Sequence, residues 1–509
     1  MAEIQEKEDD PQLIASIPSV TVADLEKEQY EPPIIVAEDR EGSGVTALVH
    51  EVASSFGIIY ADFGVDISAI AFDDIILLPL LGNLMVDGGT KKYDATKIAR
   101  EIGSHTGGIE NLIFIHSILG HNVTEQYQVP SGDHFHSKLF LRGSASKEKS
   151  EKLFELFSEI MFNARLDDKE RALGFLRDRV ASFERAISTG GTGYALQRLN
   201  ARYYPAEAIQ EMYRGVSSLP KWRELLTQAE DDWPTLQARL QTMRGIIAKS
   251  NRKGMVLNLT GEKDVLKYCS PISTRFLTRH LPDRSGEMPL PNFSTEPHPW
   301  LHQAMERMAK ESPTRNEGVV SSASVNFVGA GAPFYKPGED ISGAATVVTQ
   351  FVEYNNFMLE IRERRGAYGA FASLDKSGLL AFMTFRDPNL EETLKVFEAV
   401  PTYLVEEMKK ASTAIPLINS AIIGTIGSLD GPAPQPSTSG WESMLRWLIG
   451  YTPKIRQKWR DDILATTNND FLEYAKRLES WKPTLGISAP KAALVEKEKS
   501  LNLTLIDLL

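Results

Sequence analysis

The ten residues Ile361-Arg362-Glu363-Arg364-Arg365-Gly366-Ala367-Tyr368-Gly369-Ala370 hold the chain's densest set of side chains suited to chemistry. A guanidinium and a phenol six residues apart, across a turn from helix to strand, can converge on one point. Both are good donors to a carbonyl or a developing oxyanion. The two glycines let the backbone take positive φ or run close to a partner. The plainer reading is a helix C-terminus whose arginines offset the helix dipole; the residues alone leave both open. Elsewhere the sequence offers less. A zinc-hydrolase helix carries HExxH or HxxEH, which sets two imidazoles on one face beside a carboxylate that serves as general base. Neither string occurs among the nine histidines, at 50, 105, 116, 121, 134, 136, 280, 298 and 302. His134 and His136 lie two apart on an expected strand, and His298 and His302 lie four apart with Pro299 between them. Spacing places no third ligand for either pair, and each reads also as polar surface or satisfied hydrogen bonds. An independent metal hydrolase built on His298 and His302 is therefore disfavoured. There is no GxSxG elbow, no Cys–His signature around Cys269 and no Walker loop. GTGYA and VGAGAP read as turns rather than dinucleotide loops. By residue chemistry alone the chain has no self-sufficient active site.

The elements that must position these residues form two rounds of one pattern. Residues 1 to about 33 read as a lead-in, a short acidic helix and then the turn-rich YEPP. HEVASSFGIIYADFGVDISAI nearly alternates, as strands do, and ILLPLLGNLMV reads as a buried helix. TKKYDATKIAREIGSHTGG has helical spacing, HFHSKLFLRGSA alternates again, and KEKSEKLFELFSEIMFNA is an amphipathic helix. Further helices run through 168–249, and GMVLNLTG closes the unit as a strand. Residues 281–299 carry five prolines and little periodicity, the mark of a linker. The order then restarts: strand SSASVNFVGAG, helix ISGAATVVTQFVEYNNFMLEIRE, strands AYGAFASLD and GLLAFMTFRD, and helix NLEETLKVFEAVPTYLVEEMKK. After the Pro/Gly/Ser-rich 429–440 the chain is expected to continue as helices to its end. The expected fold is thus α+β, in two like units of about 240 residues. Composition agrees: 509 residues suit two to four domains, and 42% apolar with 24% charged residues are ordinary globular values. A net charge of −12 argues against nucleic acid or an anionic membrane as partner. One cysteine, Cys269, excludes an intrachain disulfide and thiolate zinc sites and suits a reducing compartment. MAEIQEKEDD has the character of neither a signal nor a transit peptide, and the longest apolar runs are too short to span a bilayer, so a soluble protein is expected.

IRERRGAYGAF followed by FMTFRDPNLEETL resembles the fourth domain of the presequence proteases, in the pitrilysin/insulinase superfamily of zinc metallopeptidases. The family pattern is an arginine, two glycine-type positions, Ala-Tyr-Gly, and then a Tyr/Phe-Arg-Asp-Pro-Asn turn. The chain keeps Arg362, Ala367, Tyr368, Gly369, Arg386, Asp387, Pro388 and Asn389, and departs at Arg365, where a glycine is usual. SVNFVGAG, IGSHTGGI and IIGTIGSLDGP leading into WLIGYTPKIRQKWRDDIL are also similar, so the likeness runs from about residue 10 to near the end. The resemblance implies two homologous pitrilysin-type domains, each an antiparallel sheet packed by helices. They would occupy residues 34–280 and 301–509, after a lead-in at 1–33 and around a linker at 281–300. It implies the C-terminal half of a clamshell oligopeptidase that closes over unfolded peptides, cleaved targeting peptides among them. Zinc and an HxxEH motif would belong to an N-terminal catalytic half, the partner of this chain. Arg362 and Tyr368 would be the catalytic residues contributed here, although Arg364 or Arg365 can replace Arg362 geometrically. Counting back from Gly89-Thr90, Leu80 and Leu84 stand at the two histidine positions and Asn83 at the glutamate position. Two leucines cannot ligate zinc, and an amide cannot take a proton from water. The family setting is the mitochondrial matrix or plastid stroma. The lead-in resembles the family's linker after its helical hairpin, which favours a separated half. A non-catalytic scaffold or peptide-binding subunit of the same superfamily is the alternative.

Overall fold

In the computed structural model, residues 19–119, 127–292, 295–311, 316–432 and 434–508 are described. The first eighteen residues of the lead-in, and His121, lie outside them. The alternating segments form strands and assemble two six-stranded sheets. The first has the order β1 (Ile35–Ala37), β2 (Thr46–Glu51), β7 (Val256–Gly261), β3 (Ile58–Asp66), β6 (Phe135–Ser146), β4 (Ile109–Ser117). The second has β14 (Leu503–Ile506), β8 (Asn316–Val320), β13 (Thr484–Ala489), β9 (Phe327–Pro333), β12 (Leu379–Phe385), β11 (Gly369–Leu374). Set in that direction, the sheets match strand for strand. In each, the second and third strands are parallel and the third to sixth pair antiparallel. They differ at the outer strand, since β1 runs antiparallel to β2 and β14 parallel to β8. Both sheets are therefore mixed. A further short ladder joins β5 (Tyr127–Gln128) to β10 (Asp340–Ile341) across the two units.

One face of each sheet is covered by helices of its own unit. On the first lie Leu78–Asp87 and Ser150–Asn163, whose Leu80, Leu84, Leu153, Phe157 and Ile160 enter the core with Phe63 and Leu141. On the second lie Gly343–Val352, Leu390–Lys409 and Asn468–Ser480, which bury Val348, Phe397 and Phe471. The opposite faces are covered reciprocally. Helix Gly191–Ala201, from the first half of the chain, packs on β9 and β13. Helix Pro436–Ile449, from the second half, sets Trp441, Met444 and Leu448 against Leu48, Phe114, Phe140 and Val256 of the first sheet. A glycine makes each approach possible: a Cβ on Gly191 would collide with the Phe327 ring, and one on Gly440 with the Thr260 side chain. Buried charge joins the same seam. Arg198 on helix Gly191–Ala201 donates Nε to Oε2 (2.9 Å) and Nη2 to Oε1 (3.1 Å) of Glu317 on β8. Arg202 reaches that carboxylate at 2.9 Å, and Glu211 lies 3.6 Å from Arg198.

The C-terminal region departs from the sequence expectation of helices to the end. Thr484–Ala489 is a strand in the middle of the second sheet, and Leu503–Ile506 is its edge. Residues 484–489 are buried on both faces, so they lack the alternation by which a half-exposed strand is read. Among the described residues no single helix is long and apolar enough to cross a membrane.

Candidate functional site at the helix-to-strand turn

The apolar helix Gly343–Val352 continues into a π-type stretch, Glu353–Glu363, before the chain turns into β11. Hydrogen bonds in such a stretch run from i to i+5, as Arg364 N does to Leu359 O at 3.0 Å. That winding sorts the three arginines. Arg364 and Arg365 both pair with Glu360; the Arg365 Nη1 contact is 2.9 Å and spans five residues, the spacing a π turn aligns. Arg365 Nη1 also donates to the Glu360 carbonyl at 2.5 Å. Arg362 is exposed, and among the described residues no hydrogen bond or ion pair engages its guanidinium. The substitution that had kept three candidates open is thus narrowed by geometry: Arg362 is the one left available to a ligand.

The turn itself is held by the residues of the Arg-Asp-Pro-Asn run. Gly366 has φ +78°, the left-handed value a glycine adopts without strain. Asn389 Nδ2 donates to the Arg365 carbonyl at 2.6 Å. Tyr368 N donates to the Phe385 carbonyl at 3.1 Å and to that of Arg386 at 3.3 Å. Arg386 takes φ +52°, and Asp387 behind it is fully buried. The Asp387 carboxylate accepts from Asn389 N (2.8 Å) and Thr393 Oγ1 (2.6 Å), while its backbone exchanges bonds with Asn326. Tyr368 emerges 69% exposed, its ring edge-on to Phe385 at 5.9 Å. A guanidinium and a phenol without intramolecular partners therefore stand at the two ends of one braced turn, both able to donate to an anionic or carbonyl oxygen.

The remaining candidates come apart. His298 is buried, stacked on Phe135 at 3.9 Å, with Nε2 bonded to Ser137 Oγ (2.9 Å) and Nδ1 accepting from Trp300 N (3.2 Å). Burial holds it down at about pKa 3. His302 lies on helix Leu301–Glu311, which begins after His298, so the two do not share a helical face. His134 Nδ1 bonds the Glu296 carbonyl (3.0 Å) and His136 Nε2 that of Leu448 (3.0 Å). Among the described residues no three His, Cys, Asp or Glu side chains are grouped to hold a metal ion. The helix Leu78–Asp87 does not fit zinc either. Leu80 and Leu84 are fully buried in the first core, and Asn83 Nδ2 is bonded to Asp87 Oδ2 at 2.9 Å.

Comparison with known proteins supplies the context for this geometry. A family model described as associated with peptidase family M16, subfamily C, matches residues 1–225, and one described as PreP C-terminal domain matches residues 316–486. Presequence protease 1, chloroplastic/mitochondrial, of Arabidopsis thaliana is 27% identical over 476 residues, covering 93% of this chain and 40% of the plant protein. Mitochondrial presequence protease of Emericella nidulans is 26% identical over 484 residues, 94% of this chain and 42% of its own. The chain thus spans less than half the length of the curated relatives it matches. Among solved structures, a peptidase M16 inactive domain from Pseudomonas fluorescens superposes with a TM-score of 0.57 at 16% identity, over 90% of this chain and 98% of that one. A protease from Helicobacter pylori gives 0.55 at 15% identity, over 91% and 100%. At that identity the two structures speak for the fold.

Proposed function

We propose, for a chain that belongs to the presequence-protease branch of the pitrilysin family and matches its C-terminal half, that it completes a zinc oligopeptidase without holding the zinc. In this reading residues 34–280 and 301–509 are its two domains, joined by 281–300. Together they close over an N-terminal half that carries HxxEH and the metal, and they enclose an unfolded peptide. Cleaved targeting peptides in the mitochondrial matrix or plastid stroma are the proposed substrates. Arg362 and Tyr368 donate hydrogen bonds to the oxygen that gains charge as the peptide carbonyl becomes tetrahedral. Donors held in place before the reaction stabilise that charge without reorganising.

The observation that carries the reading is the disposition of Arg362. Of three clustered arginines it alone is left out of the Glu360 pairing, on a turn fixed by Asp387 and Asn389. A structural cation would be expected to be paired. The test is peptide hydrolysis with and without a purified HxxEH-bearing half. The isolated chain is expected to cleave nothing, with or without added zinc, and the mixture to be active. In the mixture Arg362→Ala and Tyr368→Phe should each lower kcat on the order of 10²–10³-fold, with association of the halves unchanged. Full turnover by both variants would reject the catalytic role and leave a scaffold.

A further inference from the structure

The π-type stretch Glu353–Glu363 and β11 lie against each other. They carry Arg362 and Tyr368 where they meet and form a cleft where they part. The cleft has a volume of about 440 Å³ and is lined by Thr346, Glu353 and Tyr354 from the helix, Ser373 from β11, and Thr425 and Trp459 from neighbouring helices. Of the described residues lining it, Glu353 is the one that carries charge. Its Oε2 accepts from Ala372 N at 3.0 Å, and no cation among the described residues pairs with it. A half-buried carboxylate lacking a counter-ion favours a cation arriving from outside. Thr346 Oγ1, also on the wall, is buried without a hydrogen-bond partner. Tyr354 and Trp459 add aromatic surface, on which a planar cation stacks well.

These four groups match one side chain. A guanidinium offers several donors in one plane, enough for a carboxylate and a hydroxyl together, and stacks on aromatic rings. We propose that this cleft is a subsite for an arginine of the peptide substrate, bound in extended form along β11 with its reacting carbonyl at Arg362 and Tyr368. From Gly369 to Ser373 the strand covers roughly 13 Å at about 3.3 Å per residue, so the arginine lies about four residues from the scissile bond. Leu359 and Phe371, exposed apolar side chains between the two ends in sequence, border that path. The subsite rests on the peptide-binding reading above and gives it a chemical preference.

The test measures binding to the isolated chain by fluorescence anisotropy. The probes are two labelled, unstructured Gly/Ser/Leu peptides that differ only in one arginine or its neutral isostere citrulline. The arginine peptide should bind about tenfold more tightly. Glu353→Gln, whose amide oxygen can still accept from Ala372 N, should remove that difference, and Thr346→Val should reduce it about threefold. Equal binding of the two peptides by the wild-type chain overturns the subsite and leaves the peptide-binding reading standing. A preference for arginine that survives in folded Glu353→Gln overturns it as well. Failure to bind either peptide overturns both. The comparison on the wild-type chain needs no variant to fold.

Discussion

The guanidinium of Arg362 and the phenol of Tyr368 hang from a turn whose shape is set by other side chains. Asn389 holds the Arg365 carbonyl, and Asp387 holds Asn389 and Thr393. Asn389→Ala removes one buried hydrogen bond, about 1 kcal/mol of stability. It also frees the backbone between the two donors, where small misplacements are costly to catalysis. Reconstituted enzyme with this variant should lose about tenfold in kcat while its melting temperature falls only slightly; unchanged kcat would exclude Asn389 as a positioning residue. Asp387→Ala, at a fully buried carboxylate with three partners, should destabilise by roughly 3 kcal/mol in urea titration. The Arg-Tyr pair and the Arg-Asp-Pro-Asn run were legible as strings. The role of Glu360 was not, because its pairing with Arg365 depends on a π winding that residue types do not announce.

Among the elements, the helix Leu78–Asp87 shows what replaces a metal site when the ligands go. Leu84 is fully buried among first-core residues, so Leu84→Ala should cost about 2–5 kcal/mol, measured by chemical denaturation. A cost below about 1 kcal/mol would mean that the helix is only loosely packed. Its apolar face was readable from ILLPLLGNLMV, as were most strands that expose one side. Strand β13 was not, since residues covered on both sides lose the period-2 signal. The helix Gly343–Val352 was expected to run on as one α-helix to residue 363; nothing in local propensity distinguishes i+4 from i+5 bonding there.

At the scale of the whole molecule, the seam of Arg198, Glu317, Arg202 and Glu211 makes stability depend on pH. Burial pushes the Glu211 carboxyl up to about 7, against the pull of Arg198. Between about pH 4.5 and 7 the folded chain therefore binds a proton that the unfolded chain has released, and stability falls as pH rises through that window. Relative to wild type, Glu211→Gln should gain on the order of 2 kcal/mol between about pH 5 and pH 8, read from denaturation midpoints at the two values. A constant gap would show that Glu211 stays ionised throughout. The duplication of the sheets could be read from the repeated order of elements. The exchange of helices between them could not, because which face a helix covers is decided by tertiary contact.

That exchange has a mechanical consequence. With Gly191–Ala201 clamped on the second sheet and Pro436–Ile449 on the first, the sheets cannot swing apart without stripping two helices from their beds. The chain has no hinge at its middle and behaves as a single jaw. Any gape that admits a peptide to Arg362 and Tyr368 is a movement of this entire jaw against whatever faces it.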